Sequence, residues 1–301
     1  MLNQTENNVK IEGILSEVDL ESGSYQNKTT GKTMESISGQ IKVRVDQVIN
    51  GENVTLEIPV HLFANKYTSK GAPNPAYASI EKVKNEFVSI AATDMERADR
   101  IRITGANIRM NEYYNKNGQL VSFPRITASF INKVSALEMK PEATFSATFV
   151  IGSMNYETDA EGIENPNKFK IRGILPQYGG SVDVVDFFAI SPNTIDGVNS
   201  MWNQGDTVNA VGKLNFTSTT EERKVEVAFG DPRVEKRTVS VSEFIITGGT
   251  PPMEGDYAID NEAITSALAE RQARLAQLKE KGQNKTVPAP AKKNNFDNLG
   301  F

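Results

Sequence analysis

The chain of 301 residues is long enough for two globular domains at about 150 residues each. Its net charge of −5 means that no basic footprint covers the whole molecule, so any anion-binding surface must be local. The lack of cysteine excludes disulfides, thiolate metal sites and cysteine nucleophiles, and the single histidine, His61, leaves little room for His-paired catalysis or a His-rich metal site.

No apolar run approaches the length of a membrane-spanning helix, and residues 1–8 have no charged-then-apolar leader pattern. The expectation is a cytoplasmic binding protein, without cofactor or metal, rather than an enzyme.

Period-two alternation dominates the first 65 residues, which is the strand signal. Val9, Ile11, Gly13 and Leu15 share one face, as do Ile41, Val43 and Val45, and then Val54, Leu56, Ile58, Val60 and Leu62. A polar stretch over residues 20–34 reads as a loop, and Asn50-Gly51 as a tight turn. Over residues 75–92 the period changes: Tyr77, Ile80, Val83, Phe87 and Ile90 recur at helical spacing behind Pro75. Strands follow at 100–110 and 123–133, joined through Tyr113, Tyr114 and the turn pair Asn117-Gly118. Three strands, a helix and two strands is the order of a five-stranded Greek-key barrel of the OB type.

The same order recurs downstream: strands at 144–154, 169–175 and 182–190, a helical piece at 193–202, then strands at 208–216, 224–229 and 239–246. An Asp-x-apolar-x-apolar-x-Gly window runs from Asp99 to Gly105 and again from Asp206 to Gly212, in both cases directly after the helix. Agreement of element order on both sides of that window points to a duplication. The expected fold is all-β with minor α: two tandem five-stranded OB-type barrels, residues 1–138 and 139–250. A linker and helix follow over 251–281, with Ile264, Leu268, Leu275 and Leu278 as its stripe, Asp260 or Asn261 as N-cap and Gly282 as its end. Residues 282–301 have the composition of a disordered tail.

Two motif-like segments fail on their own chemistry. Gly31-Lys32-Thr33 resembles the end of a phosphate-binding loop, but Gln26 stands where that loop needs glycine, and a strand follows. The acidic run beginning at Glu157 resembles the start of a calcium loop, but Lys168 occupies the position of the bidentate carboxylate.

The informative stretch is residues 97–133. It holds seven basic residues (Arg97, Arg100, Arg102, Arg109, Lys116, Arg125 and Lys133) against Asp99 and Glu112, a local surplus of five in an acidic protein. Tyr113, Tyr114 and Phe123 are interleaved with them. With Ile101 and Ile103 inward, Arg100, Arg102 and Thr104 point out. Lys42, Arg44, His61 and Phe63 add to the outward face of the second and third strands, and Lys66 and Tyr67 continue it. Phe130 reads as core. Cations that neutralise phosphates beside aromatics that stack on unpaired bases are what a single-stranded nucleic acid requires. The second half repeats this chemistry more weakly through Lys168, Lys170, Arg172, Tyr178, Lys213 and Phe216. Of the neighbours Phe187 and Phe188 one must face outward, and Trp202 reads as core.

The run Gln204-Gly205-Asp206-Thr207-Val208-Asn209-Ala210-Val211-Gly212-Lys213-Leu214 resembles the strand-four signature of OB-fold single-stranded-DNA-binding proteins. The first half keeps Asp99, Ile101, Ile103 and Gly105 of it. The closing residues 295–301, with Phe296, Asp297, Leu299 and Phe301, are similar in layout to the tail tip of the bacterial members of that family. This tip departs from theirs in having Asp297 as the single acid among its last ten residues and Gly300 in place of proline. Two barrels and a tail resemble the phage-encoded members most. The resemblance implies a non-catalytic protein coating single-stranded DNA in replication or recombination, with little sequence preference and with replication or recombination proteins recruited by the tip. A virion component built of β modules explains the strands equally well, but not the gathering of arginines and tyrosines in one hairpin.

Overall fold

The computed structural model describes residues 2–27, 31–159, 161–225 and 233–283, and side chains for these outside 219–239 and 281–283. Its elements are β1 (Asn7–Gln26), β2 (Thr33–Ile49), β3 (Glu52–Asn65), α1 (Pro75–Glu86), β4 (Arg100–Tyr114), β5 (Leu120–Ala128) and β6 (Asn132–Val134), followed by β7 (Glu142–Thr158), β8 (Glu164–Pro176), β9 (Val182–Ala189), α2 (Pro192–Met201), β10 (Thr207–Val225), β11 (Arg233–Gly249) and α3 (Asn261–Gln283).

Two rings of strands close. In the first, β1 pairs with β2, β2 with β3, β3 with β5, β5 with β4 and β4 with β1; only β3 and β5 run parallel. The second repeats this order with β7, β8, β9, β11 and β10, and only β9 and β11 run parallel. This is the expected OB-type barrel, present twice. Equivalent backbone bonds mark the repeated Asp window: Leu15 N–H donates to Asp99 O and Ile151 N–H to Asp206 O, both at 2.9 Å.

Alternation dictates the cores. Ile11, Leu15, Ile41, Val43, Leu56, Ile58, Val60, Ile101, Ile108 and Ile126 fill barrel one. Barrel two is filled with aromatics: Phe149 stacks on Phe187 at 4.5 Å, with Phe145 and Phe244 against the same ring. Gly173 belongs to that choice, since a Cβ there would lie 2.7 Å from the Phe149 ring. Each crossover helix sits between the third and fourth strands of its ring and starts at a capped proline. Asn74 accepts from Ala76 N–H ahead of α1, and Ser191 accepts from Thr194 N–H ahead of α2. Trp202 closes barrel two as core, its indole N–H donating to Thr250 O at 2.8 Å.

The barrels join edge to edge, β1 pairing antiparallel with β7 from Asn7–Ala147 to Glu12–Glu142. Each also reaches onto the other through its fourth strand. Arg109 and the Met110 N–H hold the buried Asp183 of β9, at 3.0 and 3.2 Å. In the other direction Gln47 bonds Leu214 O and the Ala143 N–H, and Lys213 Nζ bonds Val48 O at 2.7 Å. Helix α3 lays Ile264 and Ala267 on Val150, Ile174 and Val182 of barrel two, and its Arg271 and Arg274 grip Glu112 at the root of barrel one's β4–β5 hairpin.

Several element boundaries differ from expectation, each for a physical reason. Residues 20–26 and 33–40 form a ribbon, paired from Leu20–Gly39 to Gln26–Thr33. Beyond Leu20 and Ile37, which reach the core at its base, it has little apolar periodicity to announce it. Helix α1 stops at Phe87, which is extended, and a separate 3-10 turn covers Ile90–Ala92. The expected strand 123–133 breaks after Ala128, and Phe130 turns outward, 53% exposed instead of core. The strand expected at 208–216 runs on as β10 to Val225 and the one at 239–246 begins as β11 at Arg233, the two paired from Ala210–Gly249 to Val225–Arg233, while residues 226–229 of the strand expected between them lie outside the described residues. Gly282 does not end α3, which runs to Gln283. The expected disordered tail and its tip, Phe296, Asp297, Leu299 and Phe301, lie outside the described residues.

Candidate nucleic-acid interface

Antiparallel register puts Ser38 opposite Phe63, Gln40 opposite His61, Lys42 opposite Pro59 and Arg44 opposite Glu57 on the outer face of β2 and β3. The parallel pairing of β3 with β5 sets Thr127 beside His61, and β4 sets Asn107 opposite Thr127 and Arg109 opposite Arg125. An open groove of about 610 Å³ follows this face, lined by Phe63, His61, Arg125, Thr127, Asn107 and Phe130 among others. Phe63 is 55% exposed, so two large rings stand in solvent at one site. The groove opens where β4 bulges: Val9 pairs with Ala106 and Ile11 with Ile103, and Gly105 takes a left-handed φ of 76°.

Charge separates this groove from the two other clefts of comparable size. No carboxylate lines it. A cleft of about 480 Å³ between Lys42 and the β10–β11 ribbon includes Glu17 and Glu57, and one of about 650 Å³ beside barrel two includes Asp186 and Glu243. Arg125 Nε is buried without a hydrogen-bond partner, the only such arginine atom in the groove lining among the described residues. Burial, and secondarily the Arg125 charge, holds His61 below its ordinary pKa, so the imidazole is neutral at pH 7. Among the described residues no cluster of His, Asp or Glu is placed to hold a metal ion.

The structure brings Phe63, Arg125, Phe123 and Tyr113 onto one continuous outer face. Phe123 and Tyr113 continue along the β4–β5 hairpin and meet edge to face at 6.5 Å. Tyr114 alternates to the opposite side, and Lys116 is exposed at the hairpin turn. Tyr67 is exposed at the end of β3, and the neighbouring Lys66 pairs with Glu35 at 2.6 Å.

Most of the basic side chains of residues 97–133 are committed to partners within the protein, two of them to acids from distant strands. Arg102 forms a two-pronged bond to buried Glu12, whose carboxyl it holds below the usual range. Arg109 serves Asp183, Lys133 serves Asp99 and Arg97 serves Asp94. Arg100 donates to Glu96 O and Ala98 O, tying down the preceding loop. Lys42 meets Glu17 at 2.5 Å, and Arg44 lies 3.9 Å from Asp46. Arg102 and Arg109 point outward as their strand positions dictate, but onto protein.

Barrel two departs further. Phe216 is 3% exposed and packs on Phe244 at 5.7 Å, so it is core and cannot stack on a base. Lys213 is bound to barrel one. Arg172 pairs with Asp186, and Lys168 with Glu157 and Glu243. Phe187 points in and Phe188 out, but Phe188 is covered, 8% exposed with the Lys168 ammonium 4.6 Å above its ring. Lys170 lies beside Phe188, and Tyr178 stands alone in solvent at the β8–β9 turn. Sequence reasoning missed Phe130, Thr127 and Asn107, and also Tyr25, an exposed ring of the β1–β2 ribbon whose hydroxyl donates to Asn65 at 3.0 Å.

Among solved structures, the fold is similar to the wild-type single-stranded DNA binding protein from Thermus aquaticus, with a TM-score of 0.50 at 10% identity over 86% of this chain and 99% of that one. A deletion mutant of the same Thermus protein gives a TM-score of 0.47 at 10% identity, covering 84% of this chain and 97% of that one. No curated protein sequence matches significantly. The YorF family model matches residues 5–281, and the chain therefore belongs to the YorF family.

Proposed function

We propose that the protein binds single-stranded DNA, without catalysing a reaction on it, along the outer face of barrel one. The observation that carries this reading is the groove free of carboxylates whose lining includes two exposed phenylalanines and a guanidinium. Rings supply stacking platforms for unpaired bases, and Arg125 supplies a phosphate contact. The Thermus aquaticus neighbour, a single-stranded DNA binding protein by name, supports the same use of the fold. In this reading the protein coats single strands during replication or recombination, in a phage-infected cytoplasm as the tail and tandem barrels suggest. It tolerates most sequences, and Phe296, Asp297, Leu299 and Phe301 recruit partner proteins.

Fluorescence anisotropy with a labelled oligo-dT tests it. Binding is expected to weaken linearly in log salt, with a slope near −0.7 per neutralised phosphate. Changing Phe63→Ala and Phe130→Ala together is expected to lose at least tenfold in affinity, since each stacked base contributes about 1–3 kcal/mol. A double variant that binds like the parent, or a parent that does not bind, contradicts the proposal; in the latter case the virion-assembly reading takes precedence.

A further inference from the structure

Four polar side chains form a single line across barrel one. Gln40 on β2 faces His61 on β3, His61 neighbours Thr127 on β5, and Thr127 faces Asn107 on β4. At about 4.8 Å between strands the line is about 14 Å long. Two residues along β3 from His61, on the same face, stands Phe63; two residues back along β5 from Thr127 stands Arg125. A base laid against Phe63 can therefore present its hydrogen-bonding edge to the line, and Arg125, on the far side of the line, is placed for the phosphate of a neighbouring nucleotide.

The equivalent line in barrel two has none of this character. The inward trio Val60, Ile126 and Ile108 corresponds to Phe187, Phe244 and Leu214 by strand pairing. Stepping one residue outward in each strand replaces Gln40, His61, Thr127 and Asn107 with Lys170, Phe188, Ile245 and Lys213. Lys213 is already bonded to Val48 O, and Phe188 and Ile245 are buried, so barrel two offers no open polar line at this place. The polar line is thus not a requirement of the barrel.

The line has a direction of preference. Asn107 commits one of its two Nδ2 hydrogens to Gly105 O at 3.0 Å, leaving one N–H against the two lone pairs of its Oδ1. The Thr127 hydroxyl donates to Asn107 O at 3.4 Å, leaving its lone pairs outward. Acceptors at both places suit a base with an exocyclic amino group. Cytosine offers such a donor at N4, where thymine offers the O4 acceptor. His61, being neutral, adds one donor and one acceptor.

We propose that the Gln40–His61–Thr127–Asn107 line is a base-reading subsite that gives one position of an otherwise sequence-tolerant footprint a preference for an amino-bearing base over thymine. This rests on the reading of barrel one as a single-strand-binding surface. The test compares oligo-dC with oligo-dT of equal length on the full chain, two pyrimidines that differ chiefly in the edge being read. Oligo-dC is expected to bind about tenfold more tightly, the lower range of a good base-edge contact. In Asn107→Leu/Thr127→Val, and separately in His61→Phe, which installs the barrel-two residue type, the ratio is expected to fall towards one, with folding checked by thermal melting. Equal binding of the two oligonucleotides by the parent overturns the subsite and leaves single-strand binding standing. A preference that survives in both folded variants also overturns it. Failure of both oligonucleotides to bind overturns the functional reading itself.

Discussion

Barrel one and barrel two share strand order, crossover helix and an aspartate-marked fourth strand, yet their outer faces are put to different uses. Barrel one leaves Phe63 and Phe130 in solvent beside an arginine and a neutral imidazole. Barrel two covers the corresponding surface: α3 lies on Ile174 and Val182, Lys168 lies over Phe188, and Lys213 is bound to the β2 backbone. A closed barrel satisfies its own core, so its outward residues are free to become an interface or a docking platform. Fold alone does not say which.

The sharpest way to break this comparison is to truncate one ring in each barrel. Phe188→Ala removes a buried ring and is expected to lower unfolding stability by about 3 kcal/mol in urea titration, within the range for large-to-small core changes. Phe63→Ala removes an exposed ring and is expected to stay within about 0.5 kcal/mol of the parent while weakening oligonucleotide binding. Next in size is the contrast between two arginines paired across β4 and β5. Arg109→Ala leaves the buried Asp183 without its cation and is expected to cost about 3 kcal/mol. Arg125→Ala is expected to leave stability nearly unchanged and to flatten the salt dependence of binding by about 0.7.

Gly105→Ala probes the bulge that opens the groove. A Cβ there meets no neighbouring atom, so the expected loss of about 1 kcal/mol comes from the left-handed backbone alone. The smallest effect concerns acid. His61 has its folded pKa depressed, so the unfolded chain binds more protons between the folded value and the ordinary one near 6.5. The stability it contributes is present above that ordinary value and lost as pH falls below it. His61→Gln is expected to flatten the decline in melting temperature just below pH 6.5.

The barrels themselves were legible, because inward apolar alternation marks their strands and the helical period behind Pro75 marks the first crossover helix. The ribbon of residues 20–26 and 33–39 was hidden, since paired strands that mostly leave the core need no apolar period. The site was legible only in part. Strand parity turned Phe63 and Arg102 outward, as they are, but no local pattern reveals that Glu12 and Asp183 arrive from distant strands to bind Arg102 and Arg109. Phe216 and Phe130 were exchanged in role for a related reason. Phe216 fills an aromatic core that needs another ring, while the break after Ala128 carries Phe130 out of the barrel.

The central claim is that a single strand lies against barrel one. Photo-crosslinking tests it most directly: oligonucleotides carrying 5-iododeoxyuridine are irradiated in complex with the full chain, and the attached peptides are identified by mass spectrometry. Adducts are expected on the β3 and β5 peptides containing Phe63, His61 and Phe130. Adducts confined to barrel two, or to the hairpins alone, would contradict the account.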